Sequence, residues 1–368
     1  MAQAASNPAY TVSMQGQNNN TGDVRDLFLK LYAGEVLTAF EEKNIMMPLV
    51  RTRTISKGKS ASFPMTGRAS AEYLTPGNEI TGGQIRAGER IVTIDDLLIS
   101  SQFIANIDEA VNHYDVRSIY SKEAGIALAK EADKNILRQG LKAALSTNAT
   151  RAAALVQDYK SFSEEDFTDN VTVGTAAADV TDPAKLAKAI FDAKKEMDKK
   201  NVPSDGAFVV LAPDQYYALM DVTDGSKLTF MNRDYGGNGS IASATVPMIA
   251  GMPVYMSNHL VVSDLIHTSG ASKGQSKGQR PLANTAGSGR TTSYDITNTT
   301  TDSVNLVDLA AKVRGLVMTP DAVATVKLLD LGVESEYQIN RQGTLMVAKY
   351  AMGHNVLRPA SAIALSTV

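Results

Sequence analysis

The stretch Asn112–Ile136, "NHYDVRSIYSKEAGIALAKEADKNI", decides how the rest of the chain is read. From Asp108 to Leu145 there is no proline and few β-branched residues, and Ala, Lys, Glu, Leu and Gln dominate, all good helix formers. Ile107, Val111, Tyr114, Ser118, Ser121, Gly125, Leu128, Ala132 and Ile136 recur at intervals of three and four, the signature of one helical face. The middle of that face is made of small residues, which lets another backbone approach closely. Unbroken, the segment would form a rod of ~57 Å, several times the usual helix length. His113 and Asp115 cannot form a local dyad on such a rod, because residues two apart point in different directions. The segment reads as a beam.

Upstream lies material of another kind. "LVRTRTISKGKSASFPMTG" and "ERIVTIDDLLISSQFI" are extended runs, and the Gly-rich "RASAEYLTPGNEITGGQIRAG" separates them. Together they predict a long β-hairpin over 49–98. A lone two-stranded ribbon is marginal in water, so it must lie on something, and that something can be another subunit. Between Arg51 and Arg90 there are seven basic residues (Arg51, Arg53, Lys57, Lys59, Arg68, Arg86, Arg90) against three acids (Glu72, Glu79, Glu89). The whole chain carries a net charge of −3, so a basic arm is attached to an acidic body. Such complementarity favours arm-to-body over arm-to-arm contact between copies and sets register more than affinity.

Before the hairpin, a polar tail leads into "DVRDLFLKLYAGEVLTAFEEKNI", an amphipathic helix capped by Asp23 and ended at Met47-Pro48. After the rod comes an acidic excursion over 158–182, with a short hairpin around "NVTVGT". Next is a helix marked by Asp182 as cap, Pro183 in the first turn, the stripe Leu186, Ile190, Ala193 and Met197, and Asn201 with Pro203 as stop. "GAFVVLAPDQYYALM" predicts a buried strand followed by a helix near Pro213, and "GMPVYMSNHL" a further short strand. The Gly/Ser/Lys-rich run over 270–290 is a loop by composition. "NLVDLAAKVRGLVMT", "AVATVKLLDLGVE" and "GTLMVAKYAMGH" add strand and helix, and "SAIALSTV" a last strand. The class is α+β.

Composition excludes several functions. The 368 residues are 43% hydrophobic and 20% charged, as in an ordinary globular chain. A balance near zero argues against a dedicated nucleic-acid binder. Cys is absent, which removes disulfides, thiolate metal sites and cysteine nucleophiles and fits assembly in a reducing cytoplasm. There is no apolar run long enough for a transmembrane helix, and the N-terminal tail lacks a signal-peptide core. His113, His259, His267 and His354 show no zinc-binding spacing. "SKGKS" over Ser56–Ser60 ends like a phosphate-binding loop, but Arg53 stands where the pattern needs glycine. "YGGNGS" over Tyr235–Ser240 opens no helix, and no nucleophile elbow occurs. Neither a catalytic constellation nor a cofactor site is expected, and a structural role accounts best for an unsupported hairpin, a long rod and a loose arm.

Several segments carry a resemblance. "LFLKLYAGEVLTAF", "ISKGKSASFPMTGRASAEYLTPG", "VTIDDLL", "NHYDVRSIYSKEAGIALA", "GMPVYMSNHL", "ATVKLLDL" and "AKYAMGHNVLRPASA" occur in order from about Asp23 to Ala364. Together they resemble the major capsid proteins of short-tailed phages of the coliphage T-seven group. That resemblance implies the Hong Kong 97-type capsid fold: an N-terminal arm (1–48), a hairpin E-loop (49–98), a peripheral domain (99–204) with a spine helix (108–145), an axial domain (205–324) and a C-terminal return (325–368). It implies self-association into hexamers and pentamers of an icosahedral head around double-stranded DNA, in the host bacterial cytoplasm. It also implies a procapsid that expands, and as partners a scaffolding protein, a portal protein and, in some relatives, decoration proteins. About 50 residues before the hairpin are too few for a fused scaffold, so a separate one is expected. The near-neutral chain suits a container, since a strongly basic inner wall would bind packaged DNA at each phosphate and resist its entry and release; any contact with the DNA is expected to be non-specific. The candidates for inter-subunit pairing are Arg51, Arg53, Lys57, Lys59 and Arg68 on the hairpin, with Asp108, Glu109 and Glu123 on the body. Lys57 and Lys59 also lie where some relatives carry a cross-linking lysine, but no cross-link is expected in this group. The alternatives are an encapsulin-like compartment shell, which shares the fold, and a soluble α+β enzyme with a polar pocket near His259 or His354.

Overall fold

The computed structural model describes residues 45–66, 87–94, 97–107, 116–145, 170–219, 248–260, 265–266 and 310–367, with 71, 73, 74, 77 and 79 from between the hairpin strands. Two units divide the chain. The first comprises Met1–Lys43, Asp95–Glu131 and Leu328–Met352; the second comprises Asn44–Ile94, Ala132–Lys327 and Gly353–Val368.

The second unit is organised by a six-stranded sheet. Its strands are β5 (Asn170–Thr172), β6 (Phe208–Leu211), β7 (Met248–Ile249), β8 (Met252–Met256), β9 (Val313–Met318) and β12 (Ala362–Ser366), in the order β5-β12-β9-β6-β8-β7. "FVVL" and "AIALS" are buried at every position, because both faces of the sheet are covered. Alternation then sorts the side chains. Phe208, Val210, Leu316, Met318, Ala362 and Ala364 share one core with Ile136, Leu137 and Leu141 of helix α1 (Val116–Ala144). Val209, Leu211, Val317, Ile363 and Leu365 share the other core with Leu186, Ile190, Ala193 and Met197 of helix α2 (Pro183–Lys199). Gly140 makes the first contact possible: a Cβ there would lie 2.7 Å from Leu316 Cδ2 and 3.0 Å from Met318 Sδ.

Local signals are obeyed where they are strong. Asp182 caps α2 by accepting from the Ala184 N–H at 3.1 Å, Pro183 opens its first turn, and Asn201 takes the left-handed conformation just past its end, with φ 53°. Helix α3 (Pro213–Ala218) follows β6 as expected. "NVTVGT" differs from expectation. Asn170–Thr172 pairs in parallel with β12 as the sheet's edge, and Val173 drops fully into the core, so the segment forms no hairpin of its own.

The basic arm also divides differently. Strand β1 (Arg51–Thr54) is not part of the ribbon; it runs parallel to β10 (Val323–Gln338), with Arg51 opposite Ala324 and Thr54 opposite Lys327. The ribbon is β2 (Ser60–Thr66) with β3 (Ala87–Thr93), antiparallel from Ser60–Thr93 to Thr66–Ala87. The run read as one strand, "ERIVTIDDLLISSQFI", ends its first part at Ile94, whose N–H closes the ribbon on the Lys59 carbonyl at 2.8 Å. Asp95-Asp96, poor strand formers, follow.

In the first unit, β4 (Leu98–Ala105) pairs antiparallel with β11 (Gly343–Val356), from Leu98–Tyr350 to Ala105–Gly343. Strands β10 and β11 are joined by a 3-10 turn at Ile339–Arg341. Helix α1 is described here from Val116 onward and buries Ala124 and Leu128. Its described 29 residues span ~44 Å. The expected start at Asp108, with the His113–Asp115 question, lies outside the described residues. The expected face is present at Leu128, Ala132 and Ile136, but burial widens to every position from Asn135 to Leu141.

Candidate assembly surfaces

The basic side chains foreseen as contacts are grouped around the root of the ribbon. Arg51, Arg53, Lys57 and Lys59 are all exposed. Arg51 Nη1 lies 2.9 Å from Asp321 Oδ1 of its own chain, with both side chains about half exposed. Arg53 Nη1 donates to the Ser62 carbonyl at 3.1 Å, and its guanidinium carbon sits 5.8 Å from the centre of the Phe63 ring. Arg53 thus braces the ribbon's first strand. Lys57 and Lys59 occupy the turn between β1 and β2, where they enlarge the basic surface. Glu123 is half buried on α1 in the other unit. Arg68, Asp108 and Glu109 lie outside the described residues.

Gly353 and Asn355, which the sequence did not single out, join Arg90 and His354 at the root of the ribbon. Arg90 Nε donates to the Val356 carbonyl at 3.0 Å, and Asn355 Nδ2 donates to the Ile91 carbonyl at 3.0 Å. Gly353 abuts the Thr93 carbonyl, and a Cβ there would collide with backbone atoms of Thr93 and Ile94. His354, between them, turns the other way: its Nδ1 lies 2.9 Å from Thr325 Oγ1. Burial, with a smaller contribution from Lys327, pushes the His354 pKa down to about 3, so the ring is neutral at physiological pH.

A second polar group sits deep in the second unit. Asp133 Oδ1 accepts from the Met46 N–H at 2.8 Å, and Asp133 Oδ2 lies 3.0 Å from His259 Nδ1. The His259 and Asp133 side chains are only 2% and 1% exposed, so solvent does not reach the pair. Arg138, fully buried, donates from Nε to the Leu265 carbonyl at 2.9 Å and from Nη1 to Asn135 Oδ1 at 2.6 Å. These side chains satisfy main-chain groups at the points where chain segments enter and leave the core. Among the described residues no cluster of His, Asp or Glu has the makings of a metal site. No described helix is long and apolar enough to cross a membrane. At the far edge of α2, Asp179 accepts from Lys185 Nζ at 2.6 Å and from the Thr175 and Ala176 N–H groups; these interactions hold its pKa down at about 2.

The arrangement is therefore a basic, exposed ribbon root on a sheet protein whose polar interior serves geometry. Known proteins of this kind exist. The family model described as Gp10A-like major capsid protein matches residues 62–366. The major capsid protein of Enterobacteria phage T3 is 32% identical over 357 residues, covering 95% of this chain and 94% of that protein. The major capsid protein of Escherichia phage T7 is 32% identical over 348 residues, covering 93% of this chain and 92% of that one. Among solved structures, the capsid of cyanophage P-SCSP1u superposes with a TM-score of 0.68 at 35% identity, over 98% of this chain and 99% of the other. A Hong Kong 97-type fold, an α+β composition and a structural rather than enzymatic family agree with the ribbon, the long helix and the two-sided sheet described above. The chain belongs to the Gp10A-like family of major capsid proteins.

Proposed function

We propose that this chain is the shell subunit of a short-tailed phage head, assembled around a separate scaffolding protein and a portal, and expanded as double-stranded DNA enters. The observation that carries the reading is similarity to the T3 and T7 major capsid proteins along nearly the whole of both chains. Curated relatives from phages favour a head over an encapsulin-like compartment. Capsid proteins self-associate into closed shells, and in this one the segment 49–98, which contains the Ser60–Thr93 ribbon, serves as the E-loop. Residues 99–204 serve as peripheral domain, 205–324 as axial domain and 325–368 as the return strand, after an arm over 1–48. The acting principle is many weak contacts multiplied through a closed lattice.

Arg51, Arg53, Lys57, Lys59 and Arg68 supply the positive side of the subunit contact, and Asp108, Glu109 and Glu123 the negative side. Lys57 and Lys59 are the most direct test of the charge scheme, since both are exposed in a turn. Expression with the cognate scaffolding protein, followed by negative-stain microscopy, should give closed particles of virus dimension. A discrete small oligomer under all conditions would defeat the reading. The double reversal Lys57→Glu with Lys59→Glu should lower the yield of shells and reverse its salt dependence, because added salt screens the new repulsion. Unchanged yield and salt tolerance would remove these two lysines from the contact.

A further inference from the structure

The stretch "GHNV" (Gly353–Val356) lies at the end of β11, where the ribbon meets its own sheet. Its residues alternate in what they hold. Gly353 brings its backbone against the Thr93 carbonyl, and Asn355 donates to the Ile91 carbonyl at 3.0 Å. The Val356 carbonyl accepts from Arg90 Nε at 3.0 Å. His354, pointing the opposite way, binds Thr325, which stands opposite Thr52 of β1 in the adjoining strand. One short segment therefore grips β3 on one side and the β1–β10 pair on the other.

The character of the grip is informative. Among the described ribbon residues the buried apolar side chains are Ala61, Val92 and, at the base, Ile94, while Ile91 stays exposed. What fixes it are directional hydrogen bonds onto main-chain carbonyls, together with a backbone contact too close for any side chain. Such features set an angle more than they add stability. Farther out, the described residues Tyr73 and Leu74 are exposed. A long lever held at its root moves its end far for a small turn at the joint.

We propose that Gly353–Val356 is a socket that aims the Ser60–Thr93 ribbon, with Gly353, Asn355 and Arg90 as positioning residues for subunit contact. The inference rests on the shell reading and adds to it the joint on which the ribbon's direction depends. His354 keys the socket to the sheet.

The test uses the full chain with Asn355→Asp, which is isosteric and cannot donate to the Ile91 carbonyl, and separately Gly353→Ala. Hydrogen exchange read by mass spectrometry should show amides of β3 exchanging faster by on the order of tenfold, while those of β6, β9 and β12 keep wild-type protection. Shell yield with scaffold should fall. Leu186→Ala, which opens the α2 core away from the ribbon, is the stability control. It should assemble better than Asn355→Asp even when it is the less stable of the two. If Gly353→Ala does not fold, Asn355→Asp carries the test alone. Unchanged β3 exchange, or wild-type shell yield from a variant with a loosened ribbon, overturns the proposal. Failure of the wild-type chain itself to form shells would instead defeat the capsid reading, and the exchange data would still judge the socket.

Discussion

Asp133→Ala should be among the most damaging single changes in this protein. The carboxylate satisfies two buried partners, the Met46 N–H at 2.8 Å and His259 Nδ1 at 3.0 Å. Truncation leaves both without it, in a region where Met46 is fully buried and His259 is 2% exposed. Losing the partner of a buried polar group costs about 1–3 kcal/mol, so two such losses cost about 2–6 kcal/mol. A loss of about 4 kcal/mol follows. Asp133→Asn keeps an oxygen for Met46 and should lose less, about 1–2 kcal/mol. The assay is denaturant unfolding of the unassembled subunit, run as a double-mutant cycle with His259→Ala. The two positions should couple by about 1–3 kcal/mol. The Met46 amide should lose its exchange protection in Asp133→Ala and retain it in Asp133→Asn. A loss below about 1 kcal/mol, or no coupling between the two positions, would falsify the reasoning.

The remaining expectations concern pH, packing and the surface. His354 has a folded pKa lowered to about 3, so the unfolded chain binds its proton first as pH falls. Its contribution is complete above the ordinary histidine pKa of about 6.5 and is lost progressively down to the folded value; His354→Gln should flatten the unfolding midpoint over that window. Asp179, held down at about 2, contributes above the ordinary carboxylate range and loses that contribution as pH falls toward the folded value; Asp179→Asn should remove this lower segment of the acid curve. Gly140→Val should destabilise by about 1–3 kcal/mol in the same unfolding assay, because its side chain meets Leu316 and Met318 in a filled core. Arg51→Ala should cost under about 1 kcal/mol, since the pair with Asp321 is half exposed on both sides.

Much of the architecture was legible because its signals are local. The cap, proline, stripe and stop of α2 all lie between Asp182 and Pro203, and each does in the structure what its chemistry suggests. The same holds for the buried run "FVVL" and, within the expected hairpin, for Ser60–Thr66 paired with Ala87–Thr93. What sequence could not show was pairing at a distance. Arg51–Thr54 alternates like a ribbon strand, yet its partner is β10, some 270 residues away, and so is the carboxylate of Asp321. Asp133 and Arg138 look like the solvated side of a long helix; only the sheet and the Met46 segment closing over them make them interior. Of the candidate contact residues, Arg51, Arg53, Lys57 and Lys59 are exposed as a charge reading requires, while the roles of Arg90 and Asn355 depend on carbonyls that no motif announces. From sequence, "AKYAMGHNVLRPASA" reads only as part of a resemblance, and the backbone crowding at Gly353 within it shows only in the fold.

The described six-stranded sheet closes with three residues at β5 and two at β7. Long bare margins invite strands from other chains to add on without limit. A polypeptide made in large numbers and intended to associate is especially exposed to that hazard, because crowding drives wanted and unwanted unions alike. Among the described residues, β5 and β7 are the margins at which such an added strand would dock.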